Sequence, residues 1–483
     1  MAATMIIGGD RVASSGGATE DVKNPATGEV VDSVPKGTAS DANQAVEAAS
    51  RALPAWADTP FSKRAEILYK LEHLIHEREK DLAALLTREQ GKPLKESVLE
   101  MRRFAHTIEH YAGLGKNVRG GHVPLLDKGR YGMILKRPIG VCASIVPWNF
   151  PVSLMGNKIG PALLAGNTVV VKPATTTPLT VIEVIKLFLE AGLPPGVLNV
   201  VTGPGGTVGE ALIKHPAVRK IGFTGATDTG RKVMAMAAEQ IKRVTLELGG
   251  SDPMIVCDDA LLDAAVSAAA VGRFFNCGQA CLAVKRLYLF ESIYDVFIAR
   301  LVERVKKLKL GNGMNADTRL GPLHTDGQRK EVDEQVQDAL KGGARALAGG
   351  KRPDGGDFGR GNFYEPTLLV DVPEDARVAT EEVFGPALPI FMVKSLDEAI
   401  EKANRSIYGL GSSVWTRDLA RANHAAEKLE AGYTWINSAQ IIFDELPFGG
   451  VKQSGLGKEH GSEALDYYME TKSVVVTPNP ENA

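Results

Sequence analysis

The stretch from residue 167 to residue 250 decides the fold: NTVVVKPATTTPLTVIEVIKLFLEAGLPPGVLNVVTGPGGTVGEALIKHPAVRKIGFTGATDTGRKVMAMAAEQIKRVTLELGG. Four short apolar runs in it have the length of buried strands: 168–171, 198–201, 220–223 and 244–248. Helical patterns separate these runs, and the first helix opens at Pro178, because proline suits the first helical position, and ends at Gly192. Short apolar strands that alternate with helices are typical of an open parallel sheet, so we predict an α/β fold.

The rest of the chain continues this organisation. Residues 61–86 place apolar side chains at helical spacing and predict one long amphipathic helix. A second alternating region runs from residue 254 to about residue 446, and the cluster of helix and strand breakers at 249–253 marks a domain boundary. The apolar run 471–476 predicts a final strand, which needs a pairing partner. Another subunit is one candidate for that partner.

Length, charge and cysteine usage limit the class of protein. With 483 residues, the chain has room for roughly three domains and for a large core without disulfides or metals. The formal net charge of −2 argues against a dedicated nucleic-acid or membrane-surface binder. Four cysteines are too few for a disulfide framework, and the amino terminus lacks the pattern of a signal peptide. We therefore expect a cytoplasmic protein with neither nucleic acid nor membrane as a partner.

Two glycine-rich turns between a strand and a helix compete as a phosphate site, one at 203–209 and the other at 225–230. In either turn, glycine lets the backbone approach a pyrophosphate, and the following helix offers unpaired N–H groups. Neither turn matches the dinucleotide fingerprint G-x-G-x-x-G or the P-loop, and both also fit plain tight turns of an α/β sheet. The residues alone leave this choice open.

Cys281 ends the most unusual string of the chain, FFNCGQAC at 274–281. An apolar helix over 264–275 stops there at a polar turn that presents the cysteine. A turn or a helix N-terminus lowers the pKa of a thiol and makes it a nucleophile, whereas the alternative is a small buried apolar side chain. Cys277 lies four residues earlier, but no histidine or further cysteine nearby completes a metal site, so we expect no metal.

Glu247 and Asn149 are the other candidates for chemistry. Glu247 ends the apolar strand 244–248 and shares a face with Thr245. A carboxylate at a sheet end fits a general base, but it also fits an ordinary salt-bridged glutamate. Asn149 lies in the stiff loop PWNFP at 147–151, where its amide N–H either stabilises an oxyanion or satisfies its own turn.

Taken together, these strings closely resemble the aldehyde dehydrogenase superfamily. The resemblance covers essentially the whole chain and rests on seven strings in order: Pro147-Trp148-Asn149-Phe150-Pro151, Val171-Lys172-Pro173-Ala174, Phe223-Thr224-Gly225, Glu247-Leu248-Gly249-Gly250, Gly278-Gln279-x-Cys281, Glu381-Glu382-Val383-Phe384-Gly385-Pro386, and PFGGVKQSG at 447–455. It implies three units in a homodimer or homotetramer: a Rossmann-type cofactor domain (1–120 and 139–249), an α/β catalytic domain (250–453) and a small oligomerisation arm (121–138 and 466–483).

The resemblance also implies a role for each candidate residue. Cys281 would be the nucleophile and Glu247 the general base, while Asn149 and the Cys281 backbone N–H would form the oxyanion hole. The residues expected to contact NAD or NADP are Trp148, Lys172, Thr175, Gly205, Gly209, Thr224, Gly225, Ala226, Leu248, Glu382 and Phe384. The residues expected to line the substrate tunnel are Phe150, Leu154, Asn157, Phe275, Ile442 and Phe448.

The implied reaction oxidises an aldehyde to its carboxylic acid. The Cys281 thiolate adds to the aldehyde carbon, hydride passes to NAD(P), and water deprotonated by Glu247 hydrolyses the resulting thioester. One alternative is a CoA-acylating semialdehyde dehydrogenase, against which Glu247 argues because acyl transfer to CoA does not need that base. The other is a non-catalytic structural relative that keeps only the fold.

Several positions depart from the family's pattern. NAD-preferring relatives carry a glutamate where this chain has Thr175, and a neutral threonine tolerates the 2′-phosphate of NADP, so we expect either cofactor to be accepted. Ala226 replaces a serine that often follows the loop glycine. Succinate-semialdehyde dehydrogenases carry arginines at the positions of Asn157 and Phe275. The mostly apolar tunnel that remains here predicts a neutral aliphatic or aromatic aldehyde.

Overall fold

The computed structural model describes residues 3–127 and 129–478. Residues 1–2 of the predicted cofactor domain, and residues 128 and 479–483 of the predicted arm, lie outside the described residues. The helices are α1 (Ala39–Asp58), α2 (Phe61–Gln90), α3 (Leu94–Leu114), α4 (Pro151–Ala165), α5 (Leu179–Glu190), α6 (Glu210–Lys214), α7 (Thr227–Ala238), α8 (Leu262–Phe274), α9 (Tyr294–Val305), α10 (Asp326–Lys341), α11 (Arg377–Thr380), α12 (Leu396–Asn404) and α13 (Leu419–Lys428).

The strands are β1 (Met5–Ile7), β2 (Asp10–Val12), β3 (Thr19–Lys23), β4 (Val30–Pro35), β5 (Gly121–Pro124), β6 (Tyr131–Pro138), β7 (Val141–Ile145), β8 (Thr168–Lys172), β9 (Leu198–Val200), β10 (Val218–Thr224), β11 (Arg243–Glu247), β12 (Asp252–Val256), β13 (Val284–Phe290), β14 (Arg345–Ala348), β15 (Thr367–Val370), β16 (Ala387–Val393), β17 (Tyr408–Gly409), β18 (Gly411–Trp415), β19 (Tyr433–Ile436), β20 (Val451–Lys452), β21 (Gly455–Leu456) and β22 (Met469–Val476).

The predicted long helix is α2, which continues to Gln90 because Gly91, at φ 103°, takes the left-handed conformation that closes a helix.

The first sheet contains the strands predicted from residues 167–250. Its order is β2-β1-β9-β8-β7-β10-β11-β21, and its five central strands are parallel. The prediction of an open parallel sheet is therefore confirmed for the centre and wrong for the edges, where β1 and β21 pair antiparallel with β9 and β11. A tight Gly8-Gly9 turn joins β1 to β2, and such a short connection permits only an antiparallel pair.

Helices cover both faces of this sheet. In β8, Val169 and Val171 pack with α2, α3, α4 and α5 on one face, whereas Val170 packs with α1 and α6 on the other. This alternation explains why three consecutive residues at the centre of the strand, 169–171, are all apolar.

The second sheet has the order β14-β15-β16-β13-β12-β18-β19 and is parallel except for the β14–β15 pair. Since β11 belongs to the first sheet and β12 to the second, the breaker cluster at 249–253 is the connection between the two sheets. The carboxyl end of β11 therefore lies where the sheets meet.

A third sheet has the order β22-β6-β5. β22 pairs antiparallel with β6 of the same chain, from Met469 opposite Pro138 to Val476 opposite Tyr131. The terminal strand β22 thus pairs with a strand of the same chain along one of its two sides. Its other side is an edge of this sheet. Within residues 3–127 and 129–478, no helix combines the length and the apolar character needed to cross a bilayer.

Candidate active site

The turn that carries Cys281 has an unusual backbone. Helix α8 ends at Phe274, and the next turn places Asn276 at φ 49°, Cys277 at φ 56° and Gly278 at φ 73°. Left-handed conformations are costly for residues other than glycine, so the surroundings must hold them in place. The buried Arg273 guanidinium does this by donating to the carbonyl oxygens of Gly278 and of Val383, each at 3.0 Å.

Cys281 lies just after this turn and is partly exposed. It packs against a small apolar cluster formed by Leu282, Leu410, Tyr433, Trp435, Ile442 and Phe448. Burial raises the pKa of its thiol to about 12, although the positive charge of Lys285 opposes this shift. Burial therefore opposes the lowering of the pKa that we expected the turn to give this thiol, because the loss of solvation exceeds the effect of nearby charge.

Glu247 ends β11 and is buried. Neither of its carboxylate oxygens has a hydrogen-bond partner among the residues that the structure describes. Burial raises the pKa of Glu247 well above its usual range, the negative charge of Glu459 raises it further, and Lys158 and Lys458 act in the opposite direction. The reading of Glu247 as an ordinary salt-bridged glutamate does not fit this environment.

The sequence did not predict the buried ion pair that lies beside Glu247. Lys158 Nζ lies 2.6 Å from Glu459 Oε1, with both side chains almost fully buried, and it also donates to Thr224 Oγ1 at 2.5 Å. Asn157 donates to the second oxygen of Glu459 at 3.1 Å. A lysine inside the largely apolar helix α4 was the only signal for this pair, and Glu459 gave none.

Asn149 is buried and its amide faces the catalytic turn. Its Nδ2 donates to the carbonyl oxygen of Gln279 at 3.1 Å. The backbone carbonyl oxygen of Asn149 accepts from Lys92 Nζ at 2.6 Å and from Asn276 Nδ2 at 3.0 Å. An amide group has two N–H donors, so one is left for a ligand. Asn149 therefore does not merely satisfy its own loop.

His324, which no motif indicated, links the same elements. Its ring stacks on Trp148 with centroids 4.6 Å apart, its Nε2 lies 2.7 Å from Thr176 Oγ1, and its backbone N–H donates to the Gln279 side chain at 2.8 Å. Burial lowers the pKa of His324 to about 4, so its ring is neutral near pH 7. Nδ1 lies 3.0 Å from the carbonyl oxygen of Gln90, which can only accept, so Nδ1 donates and Nε2 accepts from Thr176.

The first set of predicted cofactor residues lies at the carboxyl ends of β8 and β9. Lys172 is buried and donates to the carbonyl oxygen of Pro173 at 2.9 Å, and burial lowers the pKa of its ammonium group to about 8. A Cβ atom on Gly209 would lie 3.6 Å from the Lys172 side chain, so the turn at 203–209 adjoins this lysine. Gly205 and Thr175 lie nearer solvent.

The second set lies at the ends of β10 and β11. Thr224 is paired with Glu247 in register, and Gly225 donates its N–H to the carbonyl oxygen of Glu247 at 3.1 Å. A Cβ atom on Gly225 would lie 2.6 Å from the Phe223 ring, so only glycine fits there. Ala226 precedes α7 and provides no side-chain cap, while Leu248 packs against Gly230 of that helix.

Glu382 and Phe384 approach from the second sheet. Glu382 forms an ion pair with Lys285 and accepts from the Gly250 N–H at 3.1 Å. The Phe384 ring meets Trp148 edge-on with centroids 5.6 Å apart. The predicted cofactor residues of the two sheets therefore converge near the 249–253 connection.

The six predicted tunnel residues occupy different environments. Phe150 and Phe275 stack with centroids 5.9 Å apart, and Ile442 and Phe448 belong to the apolar cluster around Cys281. Leu154 is partly buried on α4. Asn157 is almost fully buried against Glu459, so it supports that residue more than it lines an open channel.

Comparison with known proteins gives the same family that the motifs indicated. Residues 12–474 match the model of the aldehyde dehydrogenase family. The chain is 43% identical over 471 residues to the succinate-semialdehyde dehydrogenase [NADP(+)] GabD of Escherichia coli, covering 98% of this chain and 97% of the relative. It is 40% identical over 482 residues to the betaine aldehyde dehydrogenase of Bacillus subtilis, covering 99% and 98%.

Among solved structures, the betaine aldehyde dehydrogenase of Staphylococcus aureus in complex with NAD+ superposes with a TM-score of 0.97 at 38% identity, covering 99% of this chain and 95% of that one. The chain belongs to the aldehyde dehydrogenase family. It is an NAD(P)-dependent enzyme that oxidises an aldehyde to the carboxylic acid by the non-acylating route, through a catalytic cysteine.

Proposed function

We propose that Cys281 is the catalytic cysteine, Glu247 the general base of thioester hydrolysis, and Asn149 an oxyanion donor. Cys281 is partly exposed, whereas Cys142, Cys257 and Cys277 are buried. The Cys281 thiol releases its proton to solvent, which reaches its partly exposed side chain. Its Sγ then adds to the aldehyde carbon, and the free N–H of Asn149 stabilises the negative oxygen that forms. A backbone N–H, that of Cys281, supplies the second donor.

The buried and unpartnered carboxyl of Glu247 is the observation that carries this proposal. A carboxylate that accepts no hydrogen bond keeps its basicity, because donors would stabilise the charged form and lower its pKa. In its ionised form, Glu247 takes a proton from the water that attacks the thioester, and the charges of the Lys158–Glu459 pair are close enough to act on it. Water must reach both Glu247 and the thioester carbon for this step.

The predicted cofactor residues fit a dinucleotide. The Lys172 ammonium group is buried against a backbone carbonyl rather than a carboxylate. Helix α7 begins without a side-chain cap, which leaves its first N–H groups for a pyrophosphate. Lys172 would hold the adenosine ribose, the 225–230 turn the pyrophosphate, and Glu382 with Phe384 the nicotinamide end. When bound, the nicotinamide ring supplies the hydride acceptor.

We also propose the division into domains given above, a homo-oligomer and a cytoplasmic location. The strand β22 leaves one edge for pairing, and an exposed edge strand is a common site for pairing with a second copy. The neutral Thr175 beside the buried Lys172 favours acceptance of NADP as well as NAD.

Absorbance of the reduced nicotinamide, with an aldehyde panel and both cofactors, tests the reaction in wild-type protein and in Cys281→Ala. Turnover by the wild type and none by the variant, with an unchanged circular dichroism spectrum, is the expected result. Retained turnover in Cys281→Ala would refute the assignment of the nucleophile.

A further inference from the structure

The group of polar side chains around Asp444 has no part in the chemistry above. Asp444 is fully buried, and its carboxylate lies 2.6 Å from His106 Nδ1, 2.6 Å from His460 Nδ1 and 3.2 Å from Thr107 Oγ1. Arg103 donates to it through Nη2 at 2.7 Å. Although burial opposes its ionisation, the hydrogen bond from His460 and the charge of Arg103 hold the pKa of Asp444 well below its usual range.

This group lies beside the loop that closes the apolar cluster around Cys281. Ile442 packs against that cluster, whereas its neighbours Ile441 and Phe443 are each 51% exposed. The loop therefore separates the cluster from solvent, and Asp444 follows it directly. Arg103 is close enough to Tyr433, a member of the cluster, for its charge to act against the rise in the pKa of that phenol, which burial causes.

Helix α3 places Arg103 next to the start of α4 as well. One turn before Arg103, Glu100 accepts the Val152 N–H at 3.0 Å. Phe104, the residue after Arg103, packs against Gly156. Arg103 thus lies where α3, the first turns of α4 and the loop around Ile442 meet. Its side chain is 30% exposed, so it is not enclosed by these elements.

Arg103 has unused donors. Asp444 already accepts from two imidazoles and a hydroxyl, so the guanidinium is not its only support. Within the described part of the chain, Arg103 engages Asp444 through Nη2 alone. A guanidinium has five N–H groups and binds carboxylates through two of them at once, so Nε and Nη1 can receive a second anion.

We propose that Arg103 binds an anionic group at the far end of the substrate, so that the preferred substrates are short aldehydes with a carboxylate or similar anion. This inference rests on the proposed role of Cys281, which holds the aldehyde end. It replaces the expectation of a neutral aldehyde, which rested on the absence of arginines at the positions of Asn157 and Phe275 and on the mostly apolar tunnel. The cation comes instead from α3, which only the folded structure places beside the first turns of α4 and the loop around Ile442.

The test compares aldehydes of equal length with and without the anion. Succinic semialdehyde is paired with butanal, and glutaric semialdehyde with pentanal, in wild-type protein, Arg103→Met and Arg103→Lys. Arg102→Met is the matched control, because Arg102 is the adjacent residue and pairs with Glu79 on the exposed face. Reduced nicotinamide is measured over a range of aldehyde concentrations with cofactor saturating.

The wild type should prefer each semialdehyde to its neutral partner. Arg103→Met should raise the KM for the semialdehydes about 10- to 100-fold, the loss expected for a charge-assisted contact, and change that for butanal and pentanal by less than about threefold. Arg103→Lys should restore part of the preference, and Arg102→Met should match the wild type. If Arg103→Met does not fold, Arg103→Gln replaces it.

A wild type that prefers butanal, or an equal loss for charged and neutral aldehydes, would overturn the proposal and leave Arg103 a support for the loop. Failure of the proposed function has a different signature, namely no cofactor reduction with any aldehyde, and it would remove the basis of this inference.

Discussion

Replacement of Glu247 by glutamine separates the two halves of the proposed reaction. The amide has nearly the size of the carboxyl group but cannot take a proton from water. General-base catalysis contributes roughly 10²–10⁴-fold, so thioester hydrolysis should slow by about that factor. Addition of Cys281 and release of hydride do not use this base, so the first turnover should keep its rate. The expected signature is a burst of reduced cofactor followed by slow turnover.

The same substitution should not harm the fold. Glu247 has no hydrogen-bond partner among the described residues, so glutamine breaks no such bond. Burial and the charge of Glu459 raise the pKa of Glu247 in the folded protein. An acid with a raised folded pKa contributes stability that is full below its unfolded pKa and is lost as the pH rises through the folded pKa. Glutamine cannot ionise, so the free energy of unfolding of the variant should fall less than that of the wild type as the pH rises above the unfolded pKa of glutamate.

Stopped-flow absorbance measures the burst, and mass spectrometry of quenched samples identifies the acyl group on Cys281. Urea unfolding at several pH values measures stability. Loss of the burst with an intact fold would refute the reasoning, because Glu247 would then act before hydride release, for example by activating Cys281. A wild-type rate of steady turnover would equally exclude Glu247 as the base.

Three further substitutions test other parts of the site. Cys277→Ala should retain most activity whereas Cys281→Ala loses it, and steady-state assays of both would contradict the assignment if the losses were equal. Thr175→Glu should raise the KM for NADP more than that for NAD, by about 5–150-fold for a repulsion on the order of 1–3 kcal/mol; an unchanged cofactor ratio would show that this position does not govern the choice. Lys158→Met leaves the Glu459 charge buried and should cost roughly 3–5 kcal/mol in urea unfolding, part of which the double variant with Glu459→Gln should recover; a Lys158→Met variant as stable as the wild type would contradict the buried pair.

Sequence pattern predicted the centre of the first sheet well because its strands are buried on both faces. Each of β8, β9, β10 and β11 has at least three buried residues, and a helix separates each strand from the next along the chain. The edges were not predicted. β21 has only two residues and joins the sheet through two pairs with Leu246 and Glu247, so local periodicity carries no signal for it.

The catalytic candidates were predicted for a different reason. Cys281, Glu247 and Asn149 each stand in a short string that is unusual on local grounds, such as a carboxylate ending an apolar strand. Residues that act through distant partners lack such a signal. Lys158 and Glu459 are 301 residues apart, and Arg103 and Asp444 are 341 apart. A pair of that kind becomes visible only when the chain has folded.

The environment of Glu247 explains why a residue that is unusual in the sequence is also the proposed general base. Lys158 makes its 2.6 Å contact with Glu459 and not with Glu247, so Lys158 and Lys458 act on Glu247 through their charge alone. No hydrogen bond from either lysine reaches Glu247 among the described residues, so burial raises the pKa of Glu247 despite their charges. A donor aimed at Glu247 would stabilise its anion and the fold at neutral pH, but it would also weaken the base. The absence of a hydrogen-bond donor to Glu247 therefore lowers the stability of the fold but keeps the carboxylate basic enough to deprotonate water. In the sequence, this arrangement is visible as a single glutamate at the end of an apolar strand.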